Sequence, residues 1–243
     1  MATRVNMRSL RRYSFEFLSI FVAVISAFAL NNWNENRKSR NAEEKILAEI
    51  YNGLQKDMSD IDTNILGHQA GNRAVTYFRN LIAGDTIGND SLLIHYFSLT
   101  RDFVSIQNTS GYETLKSRGF ELVENDSLRS QIISLYEYDY NILRKLEEEY
   151  YEMQFQQNYF QEINRILSRN FVFDGKNRFV GIETPLRITA EEERLLLSYL
   201  WKIKVNRDFV LGYYADMRNR VKNVRGDIGR ERALKISEIT TDR

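Results

Sequence analysis

The sequence predicts an all-α protein: one N-terminal transmembrane helix continuing into an elongated antiparallel bundle of long helices, with a small β-hairpin near residues 171–180. Three observations carry this. An uncharged apolar run, FLSIFVAVISAFAL, occupies residues 17–30. Beyond it, apolar residues recur at steps of three and four over most of the chain. A single proline, Pro185, occurs in 243 residues, so long helices meet almost no obligatory interruption. Hydrophobic residues at 43% and charged residues at 28% suffice for a packed core, and no Pro/Gly-rich linker divides it.

The apolar run alone is shorter than the roughly 20 residues that cross a bilayer. Its flanks extend it. Tyr13 to Trp33 is 21 residues, about 30 Å of helix at 1.5 Å per residue, with an interfacial aromatic ring at each end. A rival reading is a signal peptide cleaved after Ala29, since Ala27-Phe28-Ala29 has the small-x-small form. The helical pattern runs on through Asn31, Asn32 and Trp33 into a charged amphipathic stretch, which favours an uncleaved anchor. The expected layout is a cytoplasmic tail over 1–12, a span over 13–33, a bundle over 34–236 and a tail over 237–243. Arg4, Arg8, Arg11 and Arg12 stand in an N-terminal tail without acids, which places that tail in the cytoplasm and the bundle in the periplasm. Arg37, Lys38, Arg40 and Lys45 beyond the span argue the other way. At the membrane interface the expected residues are Arg12, Tyr13, Glu16 and Trp33, with Arg12 and Glu16 pairing one turn apart. Ser19, Ala23 and Ala27 recur every four residues and would let a second helix approach closely.

Past the anchor, Ile46, Ile50, Leu54, Met58, Ile61 and Ile65 trace one apolar stripe, with Asp57, Asp60 and Asp62 read as lying off it. Gly67 and Gly71 predict a kink around His68, before a helical pattern resumes over 75–82. Gly84-Asp85 and Gly88-Asn89 mark a turn, followed by a helix over 91–104. Ser110-x-x-Glu113 reads as a capping box opening a short helix that stops at Gly119. Asn125-Asp126 caps a helix of some 40 residues. Phe171-Val172-Phe173 and Phe179-Val180 around Asp174-Gly175 predict the hairpin. Thr189-x-x-Glu192 is a second capping box, opening a last long helix whose stripe runs from Leu196 through Ile203, Val210, Tyr214 and Val221 to Ile228. That helix returns toward the membrane.

Two stretches together carry a family resemblance: the anchor ending Ala29-Leu30-Asn31-Asn32-Trp33-Asn34-Glu35, and Tyr112-Glu113-Thr114-Leu115-Lys116-Ser117-Arg118-Gly119 followed by Asn125-Asp126-Ser127-Leu128-Arg129. They resemble an uncharacterised family, a domain of unknown function, of single-span membrane proteins found mainly in Bacteroidota. Glu16 matches that family's early glutamate, whereas Arg118 stands where the family has a serine. The resemblance implies a membrane location and no reaction.

Chemistry is sparse. The absence of cysteine excludes disulfides and thiolate sites. His68 and His95 are the only histidines, neither in a metal-binding spacing, and no phosphate loop or nucleophile elbow is present. No cofactor or metal is implied, and the chain does not read as an enzyme. A net charge of +1 gives no drive toward nucleic acid. Glu147, Glu148 and Glu149 read as a solvated face, and the tyrosines from 136 to 159 as a core margin. Arg218, Arg220, Lys222 and Arg225 belong to a basic C-terminal stretch, read either as a solvated helix end or as an anionic-lipid contact. Tyr112 and Lys116 in the short capped helix, with Phe171, Phe173 and Phe179 at the hairpin, are the candidate partner contacts. The expectation is a membrane-anchored interaction or assembly module of the bacterial inner membrane, single-pass, bound to the bilayer and to another envelope protein or itself. The alternative is a small-molecule sensor bundle acting through a separate membrane partner.

Overall fold

The computed structural model describes residues 7–85 and 89–241, with side chains over 15–85, 90–235 and at 237. The chain forms a long-helix bundle with one small two-stranded sheet. Helix α1 (Met7–Ile82) is unbroken over 76 residues, about 110 Å at 1.5 Å per residue. The chain then returns through α2 (Leu92–Leu99), a segment at 100–109 that is neither helix nor strand, and α3 (Ser110–Arg118). It runs outward again through α4 (Asp126–Ser134), a π-helical turn at Leu135–Asp139, α5 (Tyr140–Glu148) and α6 (Gln161–Leu167). Strands β1 (Phe171–Phe173) and β2 (Phe179–Ile182) pair antiparallel with an irregularity after Val172. Helix α7 (Ala190–Thr241) closes the bundle.

Cross-helix pairs fix the direction of α7. Asn72 bonds Asp208, Asp62 pairs with Arg218, Glu44 with Arg232 and Glu43 with Lys235. The helix therefore descends antiparallel to α1 until its end lies beside the exit of the apolar run. The core threads the seam between them: Leu47, Ile50, Leu54, Ile61, Val75 and Phe78 of α1 against Leu200, Ile203, Val210, Tyr214, Val221 and Ile228 of α7.

Several expectations meet corrections, each with a local cause. Gly67 and Gly71 do not interrupt α1. A Cβ at Gly67 would sit 2.3 Å from the Phe103 ring, and one at Gly71 would sit 2.3 Å from the Arg207 Nε. These glycines are seats for side chains from other elements, and the helix is continuous through them. Asp57 does not lie off the stripe; it is buried on it. The helix expected over 91–104 stops at Leu99. Ser110 does not form a capping box: Thr109 precedes the helix without a side-chain cap, although α3 does end at Gly119, whose φ is +100°. The 40-residue helix is interrupted between Glu149 and Phe155. Helix α7 continues past residue 236 to Thr241. Of the Gly88-Asn89 turn, Gly88 lies outside the described residues.

Other local readings stand. Asn125 accepts from the Leu128 amide. The Thr189 hydroxyl accepts from the Glu192 amide while the Glu192 carboxylate accepts from the Thr189 amide, a reciprocal box that opens α7.

Candidate functional site

The middle arm at 100–109 joins no sheet and continues no helix, so its backbone polar groups must be satisfied by side chains. The three flanking helices supply them. The Ser105 amide and hydroxyl donate to Glu147 at 2.9 and 2.6 Å; the Ile106 amide donates to Asp60; the Asn108 amide and side chain donate to Asp57 Oδ1 at 2.8 and 2.9 Å. Tyr140 donates to the other Asp57 oxygen at 2.7 Å, and Tyr214 to Glu147. Burial pushes both carboxyls above their ordinary range, with these donors pulling the other way.

One end of this polar line is Arg207. It is fully buried, and among the described residues no carboxylate lies within ion-pair distance of it, although the Asp102 charge acts on it from nearby. Its Nη2 donates to the carbonyls of Leu99 and Arg101 at 3.0 and 2.9 Å and of Ser98 at 3.3 Å; its Nη1 meets His68 Nδ1 at 2.9 Å. Ser98 and Leu99 belong to the last turn of α2, so the guanidinium caps orphan carbonyls at the negative end of that helix. The Phe155 ring covers its Cζ at 4.3 Å. Burial, then the Arg207 charge, pushes His68 down to about 3, and burial lowers Arg207 to about 10. His68 is a neutral acceptor for a buried cation.

A cleft of about 220 Å³ opens beside α3, against the π-helical turn. Such turns are frequent at functional sites because the extra residue displaces side chains from the helical register. Here the turn presents Tyr136 and Glu137. Tyr112 and Tyr136 stack at 4.4 Å with planes 2° apart, and Glu137 Oε1 accepts from both the Tyr112 hydroxyl and Lys116 Nζ at 2.7 Å. The bonds from Lys116 and then Tyr112 hold the Glu137 carboxyl below its usual range. Arg144 and Asn141 on α5 and Glu113 and Thr109 at the start of α3 complete the mouth. The floor reaches α1, since Tyr140 bonds Asp57. The structure thus gathers Tyr112 and Lys116, both singled out from sequence, into one concave site.

The remaining sequence-derived residues are dispersed. Residues 15–41 of α1 are exposed throughout, and this helix is long and apolar enough to cross a membrane. Ser19, Ala23 and Ala27 lie on it with nothing among the described residues packed over them, Glu16 accepts at its carbonyl from the Ser19 hydroxyl, and Trp33 carries Arg37 at 5.6 Å. The side chains of Arg12 and Tyr13 lie outside the described residues. Phe171 and Phe179 pack the far end of the bundle, edge to face at 5.1 Å, whereas Phe173 is exposed. The basic stretch is engaged with the bundle: Arg218 pairs with Asp62, Arg220 with Asp139, and Arg225 lies over the Tyr51 ring at 3.9 Å, while Lys222 is exposed. Asp62 and Tyr51 stand roughly 44 and 27 Å beyond Trp33 along α1 at 1.5 Å per residue.

Two apolar surfaces escape the sequence reading. On α7, Leu197, Trp201, Val205 and Phe209 recur every four residues and are all exposed, with Trp201 and Phe209 at 57%. On α2, Leu93, Ile94 and Phe97, and on the arm after it, Val104 and Ile106, are exposed as well. Asp57, Glu147 and Arg207 were also missed, and a signal for them exists. Arg207 occupies the phase of Leu196, Leu200, Ile203, Val210 and Tyr214, and Glu147 follows Tyr140 and Leu143 at helical spacing. A charge in step with a buried stripe marks a buried charge. Glu148 and Glu149, out of step, are exposed. Tyr136, Tyr140 and Tyr159 are buried while Tyr138, Tyr150 and Tyr151 are exposed. Among the described residues no cluster of His, Asp or Glu is arranged to hold a metal. The chain matches no protein-family model, no curated protein and no solved structure.

Proposed function

We propose that this chain is a membrane-anchored interaction module of the bacterial envelope, held in the inner membrane by its N-terminal helix with the bundle on the periplasmic side. The observation that carries the reading is the outward face of α7, where Leu197, Trp201, Val205 and Phe209 form a ridge that nothing among the described residues covers. Soluble surfaces carry single apolar residues without consequence, but a contiguous ridge of large ones, two of them aromatic, is the composition of protein interfaces. The continuity of α1 supports the same reading, because a partner docked on the bundle is held at a set height and orientation above the bilayer. Ser19, Ala23 and Ala27 offer a second copy or another span a close approach within the membrane.

The test is photo-crosslinking in cells from the full chain, with the photoreactive residue placed in turn at Trp201, Phe209 and the exposed polar position Glu149. Specific adducts from the first two and none from the third are the expected result. Absence of adducts from both ridge positions overturns the reading. Orientation is read by reporters fused after Arg243: an active alkaline phosphatase supports the periplasmic assignment, and a fluorescent cytoplasmic reporter reverses it.

A further inference from the structure

Two opposite charges at the mouth of the cleft beside α3 have no ion-pair partner among the described residues. Glu113 stands in the first turn of α3, and Arg144, on α5, bonds only the Asn141 side chain. Between them the other ionised pair is already satisfied, because Glu137 takes both Lys116 and the Tyr112 hydroxyl. The cleft therefore offers one guanidinium and one carboxylate outside any direct ion pair, carried by different helices and lined by buried tyrosines, with the Glu113 charge also acting on Lys116 one turn away.

Size narrows the ligand. A cube of about 220 Å³ is about 6 Å on a side, below the roughly 300 Å³ at which drug-sized ligands are usually held. A nucleotide or a folded peptide would overhang it, whereas a molecule of a few heavy atoms fits within it. A simple anion would meet Arg144 and face Glu113; a simple cation would meet the reverse. A small zwitterion meets both charges at once, with charge-assisted hydrogen bonds at each end.

We propose that this cleft binds a free α-amino acid, its carboxylate on the Arg144 guanidinium and its ammonium on the Glu113 carboxylate. The neutral side chains of Thr109 and Asn141 at the rim complete the polar contacts. The bound molecule rests on Tyr136 and Tyr140, and Tyr140 bonds Asp57 of α1, the same helix that carries the apolar anchor. Ligand occupancy thus bears directly on the membrane-linked helix. The site is separate from the α7 ridge, so its failure would leave the docking reading untouched.

The test is equilibrium dialysis of the full chain in mild detergent against an equimolar mixture of the standard L-amino acids at about 1 mM each, a concentration that detects binding of about 4 kcal/mol. Retained compounds are identified by mass spectrometry. The best-retained one is then compared with its methyl ester, which lacks the carboxylate, and its N-acetyl derivative, which lacks the ammonium. Expected are retention of at least one amino acid and a tenfold or greater loss for each derivative. Arg144→Gln should abolish discrimination against the ester, and Glu113→Gln discrimination against the N-acetyl form. Both side chains are exposed, so unchanged thermal unfolding verifies that each variant is folded, and Arg144→Lys, which keeps the charge, should retain part of the affinity. No retained amino acid, equal binding of the ester, or wild-type selectivity in both neutral variants overturns the proposal.

Discussion

Replacing Gly71 by alanine separates two accounts of the same residue by the sign of the effect. A glycine in an exposed helix interior costs about 1 kcal/mol relative to alanine, so if Gly71 were a hinge in α1 the substitution would stabilise the protein. The structure requires the opposite. A Cβ there would lie 2.3 Å from Arg207 Nε, 2.4 Å from Cζ and 2.8 Å from Cδ. The guanidinium has nowhere to retreat, being fully buried beneath Phe155 and tied to His68 and to three carbonyls. Moving it by about an ångström weakens at least two hydrogen bonds from a charged donor, each worth roughly 1.5–3 kcal/mol. If two such bonds are lost, the net cost after the gain of about 1 kcal/mol in helix propensity is about 2–5 kcal/mol. Gly212 is the control: it lies in α7, where a Cβ would meet nothing within 4 Å, and Gly212→Ala should stabilise by about 0.5–1 kcal/mol. Urea unfolding of the full chain in detergent, followed by far-ultraviolet circular dichroism, measures both. A Gly71→Ala variant as stable as the wild type would refute the account of Arg207 as a wedge seated on α1.

Other outcomes follow from the same polar line. His68 is held down to about 3 in the folded state against about 6.5 unfolded, so it contributes stability that is complete above pH 6.5 and is lost as pH falls toward 3. At 1.36 kcal/mol per pH unit the wild type should lose about 3 kcal/mol more than His68→Gln between pH 6.5 and 4; parallel pH profiles would exclude His68 as the acid-labile group. Asp57 and Glu147 act in the opposite sense, since carboxyls raised by burial favour the folded state at low pH and lose that contribution as pH rises through their folded values. Hydrogen exchange should find the amides of Ser105, Ile106 and Asn108 protected although residues 100–109 form neither helix nor strand, and Glu147→Ala should release Ser105 at a cost of about 3 kcal/mol or more. If those amides exchange at the rate of an open loop in the wild type, the side-chain suspension of the arm is wrong.

What the sequence made legible was whatever neighbouring residues decide. The Thr189 and Asn125 caps, the hairpin around Asp174-Gly175 and the antiparallel return of α7 depend on residues a few positions apart or on an unbroken stripe. What it hid was decided across the bundle. The stripe continues through Leu146, Tyr150 and Met153, yet the helix breaks there because the Asp102 carboxylate, some 50 positions earlier, accepts from the amides of Phe155 and Gln156. Asp102 caps the restart of the helix from another arm. In the same way the Phe103 ring and the Arg207 side chain, not the local sequence, determine that positions 67 and 71 lack a side chain. The cleft was half legible: Tyr112 and Lys116 belonged to a short helix recognisable by its Gly119 stop, but Glu137 and Arg144 reach it only through the π-helical turn.

The continuity of α1 is the property on which coupling between the proposed membrane span and the bundle depends, and it is testable apart from every partner and ligand. Residues 34–41 are exposed on all sides, so no packing holds them helical, and only backbone hydrogen bonds and local pairs such as Asn31 with Glu35 maintain the connection. Spin labels at Phe28 and Glu49, both exposed, are 21 residues apart, about 32 Å in an unbroken helix at 1.5 Å per residue. Pulsed electron paramagnetic resonance on the full chain in lipid nanodiscs should give one narrow distance distribution at that separation. Ser39→Pro removes a helical hydrogen bond and clashes with the preceding turn; it should broaden the distribution while leaving the unfolding of the bundle unchanged, because Ser39 touches none of its core. A distribution already broad in the wild type would mean that the span and the bundle move independently, and that the bundle is tethered to the membrane without being aligned by it.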